Sequence, residues 1–112
     1  MFIVAVTACM SGVAHTYMSA EKIEKLCAAR GIRIRVETQG ALGTENKLTE
    51  DDIAKADVAL LITDINVEGE ERFTHCRQIR VSTNIFLREA NRVMKTIEQI
   101  SGLSPQTCIH IT

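Results

Sequence analysis

Apolar and polar positions change period along this chain in a way that separates strands from helices. Residues 2–7, Phe-Ile-Val-Ala-Val-Thr, form a continuous run rich in β-branched side chains, the pattern of a strand covered on both faces. From about Thr16 to Arg30 the period becomes helical. Ala20, Ile23, Cys27 and Ala28 share one face, Glu21, Lys22, Glu24 and Lys25 are polar, and Gly31 supplies the stop. Residues 32–37, Ile-Arg-Ile-Arg-Val-Glu, alternate strictly and predict a half-exposed edge strand, and the stretch 38–43 then breaks the pattern with two glycines.

Thr49 followed by Glu50, Asp51 and Asp52 reads as an N-cap with acidic residues in the first turn, opening a short helix through about Ala56. The apolar run 57–63 is the third strand. A charged stretch from Asp64 to Arg72 is read as partly helical, and a short fourth strand lies around 79–82. A last helix, roughly Asn84 to Ile100 with an interruption near Glu89, precedes Gly102 and a Pro-containing tail. Strands alternating with helices imply right-handed crossovers. The expected fold is therefore a single α/β domain over residues 1–112, with a tail from about 102. Its core is an open, Rossmann-like, parallel four-stranded sheet of order 2-1-3-4 with helices on both faces.

Composition narrows the function classes. With 112 residues the chain has room for one core and one site. Its 13 Lys+Arg against 14 Asp+Glu, without a long block of like charge, do not suggest nucleic acid or an anionic membrane surface as partner. The longest apolar stretches, 2–6 and 58–62, fall far short of the roughly 18 residues that span a bilayer. The start Met-Phe-Ile lacks a basic n-region and does not read as a signal peptide, so a soluble cytosolic protein is expected. Cys9, Cys27, Cys76 and Cys108 show no C-x-x-C pair and are expected to be free thiols.

Chemistry concentrates at Cys9. It lies just beyond the first strand and opens the segment Cys9-Met10-Ser11-Gly12-Val13-Ala14-His15-Thr16, which runs into a helix. A thiol there faces helix N-terminal N–H groups that lower its pKa and cradle a phosphate. Residues 10–14 would supply backbone donors, with Gly12 permitting conformations that larger residues resist, while Ser11 and Thr16 add hydroxyls and His15 a second donor. In an open α/β sheet the site lies outside the carboxyl ends of the strands, which places Gln39, Gly40 and Asp64 at its rim as candidate partner contacts. Cys27, Cys76, Cys108, His75 and His110 have no comparable setting. No dinucleotide or P-loop motif is present, and Cys9, His15, His75 and Cys76 lack the local spacing of a metal site. A cysteine phosphatase loop of the C-x5-R type wants an arginine after five intervening residues, where His15 stands, followed by Thr16, and the first arginine is Arg30.

The segment 7–18 closely resembles the active-site loop of the fructose-type enzyme IIB component of the bacterial phosphoenolpyruvate-dependent sugar phosphotransferase system. So do Val36-Glu37-Thr38-Gln39-Gly40, Gly43, Asn46, Leu48-Thr49 with Asp52-Ile53, and Ala56-Asp57, and further on Thr63-Asp64 and Glu71-Arg72-Phe73. The resemblance implies that Cys9 is a phosphocysteine. It would take its phosphoryl group from a phosphohistidine on a IIA protein and deliver it to a fructose or fructose-like sugar bound by a membrane IIC protein, without cofactor or metal. Such a protein would sit in the cytoplasm, peripheral to the inner membrane through IIC. Met10 and Ser11 stand where the family usually has Pro and Thr; Ser11 keeps a hydroxyl, and Met10 adds a backbone donor while giving up the fixed φ of proline. Two other readings share the strand, cysteine loop and helix: a low-molecular-weight cysteine phosphatase or arsenate-reductase-like enzyme, and a non-catalytic anion-binding module.

Overall fold

The structure, a computed structural model, describes residues 1–8, 14–40 and 43–112. Strand β1 (Phe2–Ala8) is buried from Ile3 onward and forms the centre of the sheet. Helix α1 (Ala14–Ala29) carries the chain to β2 (Arg33–Gly40), which pairs parallel with β1 from Phe2↔Arg33 to Ala8↔Gln39. Between them Gly31 adopts φ 69°, the left-handed conformation in which a C′ glycine ends a helix without steric cost.

After the short β3 (Gly43–Glu45), helix α2 (Glu50–Lys55) leads to β4 (Val58–Thr63), parallel to β1 on its other side. The N-terminus of α2 is closed reciprocally. Thr49 Oγ1 accepts from the Asp52 N–H at 3.1 Å and Asp52 Oδ2 accepts from the Thr49 N–H at 3.0 Å. A 3-10 turn (Glu70–Phe73) precedes β5 (Gln78–Val81), followed by α3 (Thr83–Arg88), α4 (Ala90–Ile100) and β6 (Cys108–Ile111). The break expected in the last helix falls at Glu89, whose φ −128° and ψ 44° separate α3 from α4.

The sheet has six strands in the order β3-β2-β1-β4-β5-β6, which corrects the expected four. The four strands read from the sequence are β2-β1-β4-β5, in the expected order, and one further strand is added at each edge. At one edge β2 continues through Gly40 and β3 folds back antiparallel to it, with Thr38↔Glu45 and Gly40↔Gly43, so the glycines that looked like a break sit at the ends of two paired strands. At the other edge the tail contributes β6, parallel to β5 from Gln78↔Cys108 to Val81↔Ile111. An open β5 would expose a row of unpaired N–H and C=O groups, and the alternating Cys-Ile-His-Ile of the tail satisfies them.

Apolar side chains fill both faces. On one face Ile3, Ala5, Leu60 and Ile62 meet Ile23 and Cys27 of α1, Phe86 of α3, and Val93, Met94 and Ile97 of α4. On the other, Val4, Val6, Ala59 and Leu61 meet Leu48, Val67 and Phe73, with Ile53 of α2 packed against them. Among the described residues no helix is long and apolar enough to cross a membrane.

Candidate functional site

The order of strands reverses at β1: the chain moves from β1 to β2 on one side and then returns to place β4 on the other. The carboxyl end of β1 is thus the switch point, where open α/β sheets bind ligands. Ala8, its last residue, stands level with Gln39 of β2 and Thr63 of β4, and the Asp64 N–H donates to the Ala8 carbonyl at 3.3 Å. Residues 9–13 connect this point to the first turn of α1. Cys9, Met10, Ser11, Gly12 and Val13 lie outside the described residues, as does the side chain of Ala14. His15 is half-buried in the first turn of α1, and Thr16 is fully buried.

Thr16 and Ser19 lie on the side of α1 that packs on the sheet, together with Ala20, Ile23 and Cys27. Thr7 is fully buried one residue before the end of β1. The hydroxyls of Thr7, Thr16 and Ser19 are buried and have no hydrogen-bond partner among the described residues. Buried hydroxyls are ordinarily satisfied, since leaving one unpaired costs roughly 1–3 kcal/mol. Two of these, Thr7 and Thr16, stand on either side of the 9–13 connection.

Of the expected rim residues, Asp64 follows β4 directly, and its carboxylate accepts from the N–H of Thr83 at 3.1 Å and from the Thr83 hydroxyl at 2.6 Å. It therefore holds the first turn of α3 against the end of β4. Ser82 is the N-cap proper, its Oγ accepting from the Ile85 N–H at 3.2 Å. Beside Asp64 a polar hollow of about 550 Å³ opens over the carboxyl ends of β4, β5 and β6, lined by Thr63, Asp64, Asn66, Arg80, Ser82 and His110.

Gln39 is bound on both ends of its amide. Nε2 donates to Glu37 Oε2 at 2.8 Å and to the Glu68 carbonyl at 3.0 Å, and Oε1 accepts from the Glu68 N–H at 2.9 Å. Gly40 ends β2 opposite Gly43. Behind Gln39 lies a group that the sequence reading did not assign to the site. Glu37 is fully buried beside Val6, and Arg72 meets it in a fork, Nη1 to Oε1 and Nη2 to Oε2, each at 2.9 Å. The Leu48 N–H also donates to Oε1, at 2.9 Å. Burial pushes the Glu37 carboxyl up, but the Arg72 fork and the donors from Leu48 and Gln39 outweigh it, so its pKa falls below the usual carboxylate range.

Two of the remaining thiols are packed within the domain. Burial against the sheet pushes the Cys27 thiol up to about 11. Cys76 is raised for the same reason, with its Sγ 3.9 Å from the Ile53 carbonyl oxygen. Cys108 is exposed on β6, and none of the three is in a disulfide. His75 is exposed, with Nδ1 3.1 Å from Gln106 Nε2, and His110 is exposed on β6. A larger groove of about 650 Å³ runs between α2 and the 72–77 segment past Ile53, Asp57 and Cys76. It reaches the amino end of β4, away from the switch point.

Comparison with known proteins places this geometry. Residues 4–96 match the family model described as the PTS system, lactose/cellobiose-specific IIB subunit. The PTS system fructose-like EIIB component 3 of Escherichia coli is 57% identical over 95% of this chain and 94% of its own length. A crystal structure of a predicted fructose-specific IIB from Escherichia coli has a TM-score of 0.95 at 54% identity, covering 99% of this chain and 98% of that one. The fructose-specific EIIB'BC component of Vibrio cholerae is 40% identical over 93% of this chain, which spans 17% of that longer protein. The family model carries the lactose/cellobiose name, whereas the relatives that match nearly end to end carry the fructose name, and near-complete coverage at high identity decides the type. The chain belongs to the IIB components of the sugar phosphotransferase system, and within them to the fructose-like type.

Proposed function

We propose that Cys9 is the phosphoryl carrier of this IIB component, taking the group from a phosphohistidine on a IIA protein and passing it to a fructose-like sugar presented by a membrane IIC protein. The observation that carries the reading is position. Cys9 directly follows the last residue of β1, at the reversal of strand order, and the chain enters α1 five residues later. The helix N-terminus favours the thiolate and then the thiophosphate dianion. The thiolate attacks phosphorus, the S–P bond forms as the N–P bond breaks, and the leaving imidazole nitrogen takes up a proton. In the second step a sugar hydroxyl attacks, the O–P bond forms as S–P breaks, the hydroxyl proton is lost and the thiolate returns.

Donors that need not reorganise would stabilise the charge in both steps: the N–H groups of Met10, Ser11, Gly12, Val13 and Ala14, and the side chains of Ser11, His15 and Thr16. The buried hydroxyls of Thr7 and Thr16, which have no hydrogen-bond partner among the described residues, support an anion-facing role for this end of α1. Gln39, Gly40 and Asp64 form the rim against which two partners dock in turn. In this reading residues 1–112 act as one cytoplasmic IIB unit that reaches the inner membrane through IIC, and the union of B and C components in the Vibrio cholerae protein's name fits such a partnership.

The phosphatase alternative gains nothing from the rim. The Arg72 guanidinium is committed to Glu37 and to the Gly69 and Glu68 carbonyls, and Arg80 pairs with Glu70. The test is transfer of label from a phosphorylated fructose-type IIA protein. Cys9→Ser should accept no label while keeping its circular dichroism and melting temperature, and Cys27→Ser should accept normally. Phospho-Cys9 should persist in water and discharge to IIA or to sugar with IIC. Rapid Cys9-dependent hydrolysis of an aryl phosphate would contradict the proposal.

A further inference from the structure

Glu37 sits in β2, Glu68 and Arg72 follow β4, and β1 runs between those two strands. The bonds joining Gln39 to the backbone of Glu68, and Glu37 to Arg72, therefore span β1 and tie the exits of its two neighbours together just where Ala8 ends the strand. We propose that Glu37 and Arg72 are positioning residues for phosphoryl transfer at Cys9: together they fix Gln39 and the 68–72 segment as a rigid strap beside the carboxyl end of β1, so that the donor's phosphohistidine arrives in line. The inference rests on the carrier reading above and adds to it the device that holds the rim.

The strap is built to hold one geometry. Each Glu37 carboxylate oxygen accepts two hydrogen bonds, Oε1 from Arg72 and Leu48 and Oε2 from Arg72 and Gln39. The Arg72 fork is used on its other side as well, Nε donating to the Gly69 carbonyl at 2.7 Å and Nη2 to the Glu68 carbonyl at 3.1 Å. Gly69 accommodates this doubly. Its φ is 72°, and a Cβ there would stand 2.6 Å from Arg72 Nε. The guanidinium thus needs a glycine beneath it and a planar fork of five donors, which lysine does not provide. An apolar pair would stabilise this face without fixing the angle of Gln39. The ionic pair fixes that angle, and orientation is what in-line transfer requires.

Transfer from a phosphorylated fructose-type IIA protein, read in single turnovers over a range of donor concentration, tests this. Arg72→Lys keeps the charge and loses the fork, and should lower the saturating transfer rate about ten-fold or more with little change in the concentration giving half-maximal rate. Val93→Ala, on the opposite face and matched for loss of melting temperature, should transfer at the wild-type rate. Arg72→Lys transferring like wild type, or slowing no more than Val93→Ala, would overturn the positioning role while leaving Cys9 as carrier. A wild-type chain that accepts no label at all would overturn the carrier reading itself, and this proposal with it.

Discussion

On the face of the sheet that carries α1, α3 and α4, cohesion comes from apolar burial: Phe86, Ile97 and Met94 close over Ile3, Leu60 and Ile62, and all are essentially inaccessible to water. On the opposite face the cover is thinner, a six-residue helix and a 3-10 turn, and the buried space beside Val6 is filled by a carboxylate and its arginine. A buried ion pair is a weak source of net stability, because desolvation offsets its attraction. Its use here is directional. The first face supplies most of the apolar cohesion, and the second, besides its own smaller core, fixes where the ends of β2 and β4 stand relative to β1.

Matched truncations should break that comparison open most widely. Phe86 and Phe73 are both fully buried, one on each face, and the Arg72 guanidinium stands 5.0 Å from the Phe73 ring centroid. Phe86→Ala and Phe73→Ala should each destabilise by about 3–5 kcal/mol in urea unfolding. Phosphoryl transfer by the folded fraction should fall only in Phe73→Ala. Equal transfer rates would mean that the two faces are not divided in function.

Removing one charge is a smaller change. Glu37→Gln should cost about 2 kcal/mol at neutral pH, as expected for hydrogen bonds to a charged group. The wild-type Glu37 carboxyl titrates below its ordinary range, so its contribution is complete above the unfolded value of about 4.3 and is lost as pH falls through the folded value. The stability curves of wild type and Glu37→Gln should accordingly converge in acid and separate as pH rises past that window. A constant gap at all pH values would mean that Glu37 is not held as the carboxylate.

The smallest expected effect lies at the entrance to the thin face. Thr49→Ala removes the hydroxyl of the α2 capping box and should cost about 1 kcal/mol, with transfer unchanged. A larger loss would mean that α2 carries more of this face than its length suggests.

The same contrast explains what could be read from the sequence. The apolar runs of β1 and β4, the face of α1, the Thr49 cap and the break at Glu89 all follow from local period or cap chemistry, and they build the well-covered face and the central strands. The misreadings cluster at the edges and on the ionic face. Alternation in 32–37 put Arg33, Arg35 and Glu37 together on an exposed side; both arginines are exposed, but Glu37 is buried, because β1 places Val6 beside it and Arg72 arrives from far along the chain. Nothing local marks a partner 35 residues away. Strand β6 leaves only a faint signal in the expected tail, the alternating Ile109 and Ile111. The position of Asp64 after the third expected strand puts it at the rim, but its link to Thr83 joins segments 19 residues apart, which no local pattern marks.

Locating the phosphoryl group on the chain decides whether Cys9 carries it. The chain would be incubated with a phosphorylated fructose-type IIA protein, digested at a pH that preserves thiophosphates, and the modified residue identified by tandem mass spectrometry. One phosphoryl group per chain is expected, on Cys9, absent from the Cys9→Ser variant. A phosphoryl group on His15 or on any other residue, with Cys9 unmodified, would contradict it.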